Sequence, residues 1–286
     1  MSNPYLNFVA GFDRLLKKGK SIRVEDALAP ARPLLSDSAP KALLFSPHPD
    51  DECITGALPL RLLREMKIKV INAAVTLGSR KDRQLERLEE LKRACKFIGF
   101  DLVVLGERGL EKINLKGRRE DPENWARGVE TVAKLIRDTQ PQIIFMPHEA
   151  DWNSTHMGTC HLVNDAMATL ESTFGCRVVE TEFWAAMSSP NLMIESSVAD
   201  VADIVAAISL HAGEVERNPY HLRLPAWMQD NVRRGGELVG GQGGEVPDFA
   251  FSTLYRVSNF TQRKRVPLFE GGRLVSCNDS LSAIFG

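Results

Sequence analysis

Lys41-Ala-Leu-Leu-Phe-Ser46 runs without a break into Pro47-His48-Pro49-Asp50-Asp51-Glu52. The first stretch is short, apolar between its ends and stopped by a proline, which is the form of a strand buried on both faces. The loop after it is crowded with groups that bind cations or move protons. In open α/β sheets, ligands gather in the crevice beyond the carboxyl ends of the strands. A buried strand that delivers ionisable residues at its carboxyl end therefore says where the chemistry is to be sought.

The same form recurs along the chain. Lys69 to Thr76 is a second apolar run, closed by Gly78; Asp101 to Leu105 is a third, closed by Gly106; Gln142 to Met146 is a fourth, closed by Pro147; and Arg177 to Trp184 reads as a fifth. Helical patterns lie between them. Leu85 to Ile98 places Leu88, Leu91, Cys95 and Ile98 on one face, with Gly99 at its stop. Trp125 to Thr139 repeats that form. Such alternation predicts an α/β fold: a Rossmann-like, mostly parallel sheet with helices on both faces. Residues 5–37 read as a helical arm that ends in the Pro-rich turn Ala29-Pro-Ala-Arg-Pro33. The expected organisation is an N-terminal helical arm over 1–38 and a single α/β domain over 39–286. The glycines between Arg233 and Gly244 make a fixed conformation costly, which predicts a mobile loop there, either a lid or plain surface.

Composition narrows the partners. Lys and Arg number 36 against 37 Asp and Glu, a net charge of -1. This balance argues against nucleic acid or an anionic membrane as the main partner, since such binding needs clustered positive charge. Arg263-Lys264-Arg265 is too short to change that. No run is apolar enough to span a bilayer, and the first 20 residues lack the uninterrupted apolar core of a secretory signal. The five cysteines are widely spaced with no CxxC pair, so neither a disulfide framework nor a cysteine-rich zinc site is indicated. A cytoplasmic location is expected. A homo-oligomer is compatible with the sequence, which does not encode the subunit count.

Two loops carry the chemistry. The first is His48 to Glu52. The second, after the fourth strand, reads Pro147-His148-Glu149-Ala150-Asp151-Trp152-Asn153-Ser154-Thr155-His156. Catalytic zinc takes three protein ligands from His and carboxylate and keeps a fourth position open. His48 and Asp51, three apart on a tight turn, can point at a common ion, and one imidazole from the second loop would complete a His-Asp-His set. Asp50 leaves the backbone in another direction and is placed to take a proton from water at the metal. Each residue also has a plainer reading: HPDD as a helix N-cap, His156 as a structural histidine, Asp151 as an Asx turn or cap. Trp152 and Trp227 are either sugar-stacking or core residues.

Pro47-His48-Pro49-Asp50-Asp51-Glu52 after a strand resembles the signature of the LmbE-like (PIG-L) zinc-dependent N-deacetylases. Arg87-x-Glu89-Glu90 is similar to the family's Arg-x-x-Glu segment, and 147–156 to its second metal loop. His211-Ala-Gly-Glu214 and Phe251 to Arg256 match weaker features, so the resemblance spans roughly 41–257. It implies Zn2+ or another divalent metal on His48, Asp51 and His156, Asp50 as general base, and Arg87 as a substrate contact. Arg87 could equally bridge to Glu90 or another nearby carboxylate. The implied substrate is a small N-acetylated molecule of the amino-sugar type.

The chain departs from that pattern at one place. The family's second loop usually reads His-Pro-Asp-His, and here Asn153-Ser154-Thr155-His156 stands there. Asn153 can donate to a developing oxyanion but cannot act as an acid. Asp50 could then both take and return the proton, and His148, His161 and His211 are other candidate acids. His211 is favoured by its place in the resemblance. His161 follows His156 by five residues, roughly 500° of helix rotation, and so points away. A dinucleotide-dependent oxidoreductase is rejected because no GxGxxG turn follows the first strand. A metal- or sugar-binding module without turnover, and a hydrolase of another small amide, remain alternatives.

Overall fold

The computed structural model describes residues 3–24 and 28–286. The strands are β1 (Lys41–Ser46), β2 (Lys69–Ala74), β3 (Asp101–Val104), β4 (Ile143–Pro147), β5 (Cys176–Thr181), β6 (Leu192–Glu195), β7 (Ser252–Thr261), β8 (Lys264–Pro267) and β9 (Arg273–Val275). They form one nine-stranded sheet in the order β3-β2-β1-β4-β5-β7-β6-β9, with β8 paired to β7. β3, β2, β1, β4 and β5 run parallel, whereas β7 is antiparallel to β5 and to β6. The predicted mostly parallel α/β architecture is therefore the observed one.

The helices are α1 (Leu6–Gly19), α2 (Asp51–Ile54), α3 (Leu58–Glu65), α4 (Gln84–Ile98), α5 (Leu115–Glu120), α6 (Pro122–Thr139), α7 (Ser154–Ala168), α8 (Val198–Ser209), α9 (Ala212–Arg217), α10 (Leu224–Leu238) and α11 (Ser282–Phe285). They cover both faces of the sheet because the central strands are apolar on both. In β1, Ala42 and Leu44 enter the core beneath α3, α4, α8 and α10, while Leu43 and Phe45 enter the core beneath α6 and α7. This alternation follows from the period-2 geometry of a strand.

From β1 the chain winds outward through β2 to β3, then crosses back so that β4 lies on the other side of β1. The order reverses between β1 and β4, the switch point at which an open sheet parts to leave a crevice. Both polar loops begin there.

Three local expectations are corrected. The helix of the arm stops at Gly19, and residues 28–40 form no helix or strand; residues 1–2 and 25–27 of the arm lie outside the described residues. α6 begins at Pro122 rather than Trp125, since Asp121 caps it by accepting from the Asn124 N–H at 3.3 Å and proline suits a first helical turn. The glycine-rich stretch is not all loop: Gly235 and Gly236 lie inside α10 and are buried. A Cβ at Gly235 would collide with Met193 Sδ, so glycine there lets the helix lie close on β6 and β7.

One cross-strand pair ties the antiparallel half to the parallel half. Glu180 on β5 faces Arg256 on β7, accepts from it at 2.7 and 2.9 Å, and accepts from Arg265 at 2.9 Å. Burial raises the Glu180 pKa, but Arg256 and Arg265 overcome it and hold the carboxyl below its ordinary 4.5. A depressed folded-state pKa stabilises the fold above the unfolded value, and that stability is lost as pH falls through the folded value. Glu180→Gln should cost about 3 kcal/mol at neutral pH, the low end for unpairing a buried charge. Denaturant melts should show the gap between variant and wild type closing below pH about 4.5.

Candidate metal centre and active-site cavity

The turn after β1 is unusual in its backbone. Asp50 adopts φ 107° and ψ −27°, a left-handed conformation that costs a non-glycine residue of order 1–3 kcal/mol. Its N–H donates to Glu52 Oε2 at 2.9 Å, and the His48 N–H donates to Asp51 Oδ2 at 2.8 Å. These bonds hold the strain and splay successive side chains: Asp51 turns inward at 1% exposure, while Asp50 borders the cavity.

From the second loop, α7 begins at Ser154 and carries His156, fully buried, back against the first turn. Three donor atoms then meet. Asp51 Oδ2 lies 3.2 Å from His156 Nε2 and 3.4 Å from His48 Nδ1, and the two imidazole nitrogens are 3.2 Å apart. Tetrahedral ligands about 2.0–2.1 Å from an ion sit about 3.3–3.4 Å from one another. The triangle has that edge length, so the donor set fits a small divalent cation. The local field agrees. Burial opposes a charged His156, yet Asp51 and Asp151 overcome it and raise its pKa to about 10. Burial likewise opposes a charged Asp51, and His156 and His48 overcome it to hold that carboxyl well below its ordinary value. Positive charge is favoured at this point, and a divalent ion supplies it.

Asp151 serves the loop in two ways. It accepts from the backbone of Asn153 at 2.8 Å and of Trp184 at 3.2 Å. Its Oδ1 also lies 3.6 Å from His156 Nδ1, too far for a hydrogen bond but near enough for its charge to act on the ring.

The cavity above the triangle is about 600 Å³, and its wall includes His48, Asp50, Asp51, Arg87, Asn153 and Trp184. Asp50 is the most perturbed carboxyl there: burial, then the charge of Asp51, push its pKa up to about 7, against the opposing pull of His211, Arg87 and Tyr220. The Tyr220 hydroxyl donates to Asp50 Oδ2 at 2.6 Å. Arg87 does not bridge to Glu90. Its Nη2 donates to the Pro49 carbonyl at 2.9 Å and its Nε lies 3.7 Å from Glu214 Oε1. Gly78 has φ +86°, a backbone conformation that favours glycine, and the Arg87 guanidinium lies against it. Asn153 caps α7 by accepting from the Thr155 N–H at 2.8 Å, an acceptor role that leaves its amide N–H groups for the cavity.

Other candidates lie elsewhere. His211 does not line the cavity; it is fully buried, and its Nε2 lies 2.7 Å from Glu52 Oε1. Burial would lower its pKa, but Glu52 and Asp50 raise it. Glu52 thus links His211 to the Asp50 backbone. His148 Nε2 pairs with the Ala185 carbonyl at 2.9 Å. Trp152 is exposed and Trp227 packs on the core, and neither lines the cavity. The aromatic wall is Trp184, edge-on to Tyr220 with centroids 6.2 Å apart. Trp184 closes the fifth apolar run at its carboxyl end, the signal by which it could have been found. Tyr220, in a 3-10 turn at Tyr220–Arg223, gave none.

With that geometry in place, residues 43–167 match the profile of the PIG-L family, described as GlcNAc-PI de-N-acetylase. The matched span holds most of β1, all of β4, both loops and the donor triangle, so the resemblance expected from the first loop is met by the family profile over that span. Comparison with curated proteins gave no match. Among solved structures, a conserved protein from Thermus thermophilus is similar at 20% identity and TM-score 0.57, over 75% of this chain and 93% of that one. N,N'-diacetylchitobiose deacetylase from Pyrococcus horikoshii is similar at 16% identity and TM-score 0.56, over 87% and 92%. The 4-carboxy-2-hydroxymuconate hydratase GalB from Pseudomonas putida is similar at 15% identity and TM-score 0.55, over 76% and 95%. These likenesses are of fold. A deacetylase and a hydratase share it, so the reaction must be argued from the site.

A ligand that binds the folded state alone stabilises it by about 4 kcal/mol at a thousandfold over Kd. Zinc added to the chelated protein should therefore raise Tm by roughly 10 °C for a chain of this size, and His156→Ala should abolish the shift in a thermal melt.

Proposed function

We propose that residues 39–286 act as a metal-dependent amidohydrolase that removes an acetyl group from the nitrogen of an amino sugar or amino-sugar conjugate in the cytoplasm. One observation carries the reading: a donor triangle sized for a divalent ion, with a carboxyl of near-neutral pKa beside it. His48, Asp51 and His156 would hold Zn2+, although two imidazoles and a carboxylate also accept other divalent metals. When bound, the ion supplies a Lewis acid and lowers the pKa of water to about 7.

Asp50 is the base. Tyr220 occupies Oδ2, which leaves Oδ1 for the attacking water, and burial together with Asp51 raises the proton affinity of the carboxyl, which suits a group that takes a proton and gives it back. The water oxygen joins the acetyl carbon, the C–N bond breaks, the proton that Asp50 took passes to the departing amine, and the acid leaves as acetate with its remaining proton released to solvent. Asn153 donates from its amide to the developing oxyanion. Arg87, anchored on Pro49, turns toward the substrate. His211 is better placed to steady Asp50 through Glu52 than to meet substrate, so the proton cycle falls to Asp50 alone. The free state of all five cysteines supports a reducing compartment, and among the described residues no helix is long and apolar enough to cross a membrane.

Amine release from N-acetylglucosamine and a panel of its conjugates tests the reading. Zinc should restore turnover to the chelated protein, and Asp50→Asn should lower kcat by about 10²–10⁴ with metal content unchanged. Stoichiometric metal with no cleavage of any panel member would sink the acetyl-sugar assignment in favour of a silent module or another amide. Tyr220→Phe should lower kcat about tenfold with KM little changed, because a carboxylate that loses one hydrogen bond is less well aimed; an altered KM alone would place Tyr220 on the substrate instead.

A further inference from the structure

α1 leaves its apolar face uncovered. None of its residues is buried, and it meets the rest of the chain at its last turn, where Gly19 lies against Leu222. Phe8 is 66% exposed, Val9 61% and Leu15 67%. At 100° per residue these three, with Tyr5 and Phe12, fall within an arc of about 120°. Phe8 and Phe12 already pack edge to face, with centroids 5.4 Å apart. Arg14, Lys17 and Lys18 occupy the opposite side, and Lys20 and Arg23 follow.

The charge of the whole chain conceals what this segment holds. Over 1–26 there are five cations and three carboxylates, and within α1 itself Arg14, Lys17 and Lys18 stand against Asp13 alone, while the chain as a whole carries -1. A short helix with aromatic and aliphatic residues on one side and Lys and Arg on the other is the composition of a helix that lies in a lipid–water boundary. We infer that α1 docks the protein on an anionic lipid surface, its apolar face at the level of the acyl chains and its cations against headgroup phosphates. At about 1.5 Å per residue its 14 residues span about 21 Å, short of the roughly 30 Å hydrocarbon layer, so it lies on the bilayer and does not cross it.

A second copy of the chain fits the face less well. Two such segments laid together would set five cations beside five more. One face of a helix about 21 Å long and about 10 Å wide also falls well short of the roughly 800 Å² that each partner gives a stable interface. Lipid phosphates answer the charge and the acyl layer takes the apolar face without a matching protein surface.

Co-sedimentation of the full chain with vesicles tests the inference. It should pellet with mixed phosphatidylcholine–phosphatidylglycerol vesicles and not with phosphatidylcholine alone, and added salt should weaken the binding. The double variants Phe8→Ser with Phe12→Ser, and Lys17→Glu with Lys18→Glu, should each weaken it at least about tenfold. These side chains lie outside the cavity, so turnover of a water-soluble substrate should hold steady and report that the fold is intact. Equal binding to neutral vesicles, or binding to neither, overturns the inference. So does a dimer in sedimentation equilibrium that the Phe8→Ser, Phe12→Ser variant dissolves, for then a second copy covers the face.

Discussion

Asp51 is the point on which the rest of the structure turns. Its carboxylate must stay ionised at 1% exposure, a condition burial strongly opposes. Two imidazoles, His48 from its own turn and His156, which follows His48 by 108 residues, stand within 3.4 Å and satisfy it. Bringing that distant ring into place requires α7 to start directly behind β4, and β4 to lie directly beside β1. The crossover in the sheet is thus the means by which two loops share one buried charge.

The surroundings can be understood as the management of that charge. With Asp51 ionised next door, Asp50 is pressed toward its neutral form, and Tyr220, Arg87 and His211 press the other way. The outcome is two adjacent carboxyls of opposite character, one held ionised and one pressed toward its neutral form, separated by environment alone. Glu52 completes the turn from behind, receiving the Asp50 N–H on one oxygen and facing His211 with the other. Three successive acidic residues therefore meet three different sets of partners, and the left-handed backbone at Asp50 aims them in three directions.

The parts of this arrangement legible in the sequence were those with a local cause. Apolar runs stopped by Gly or Pro marked β1 to β4, the run Arg177 to Trp184 marked β5 but overshot its end at Thr181, and the composition of the two loops marked His48, Asp50, Asp51 and His156 as a group. Residues whose meaning depends on long-range packing were not legible. Tyr220 reaches Asp50 across 170 positions from a turn with no periodic signal. His211 stood among the candidate acids, yet folding sets it behind Glu52. Gly235 and Gly236 read as slack, whereas close approach of α10 to Met193 and Val246 is what requires them. The net charge, summed over the chain, masked the segregated cations of the first helix.

The left-handed backbone at Asp50 has a consequence for how the protein can change over time. Glycine is the residue most at ease in that conformation, so Asp50→Gly would relieve a local cost while removing a carboxyl that borders the cavity. Mutational drift at position 50 toward greater stability therefore runs toward loss of that carboxyl. On the proposed role of Asp50, a homologue with Gly at this position would be recognisable from that one residue as a chain that had kept the fold and given up the reaction.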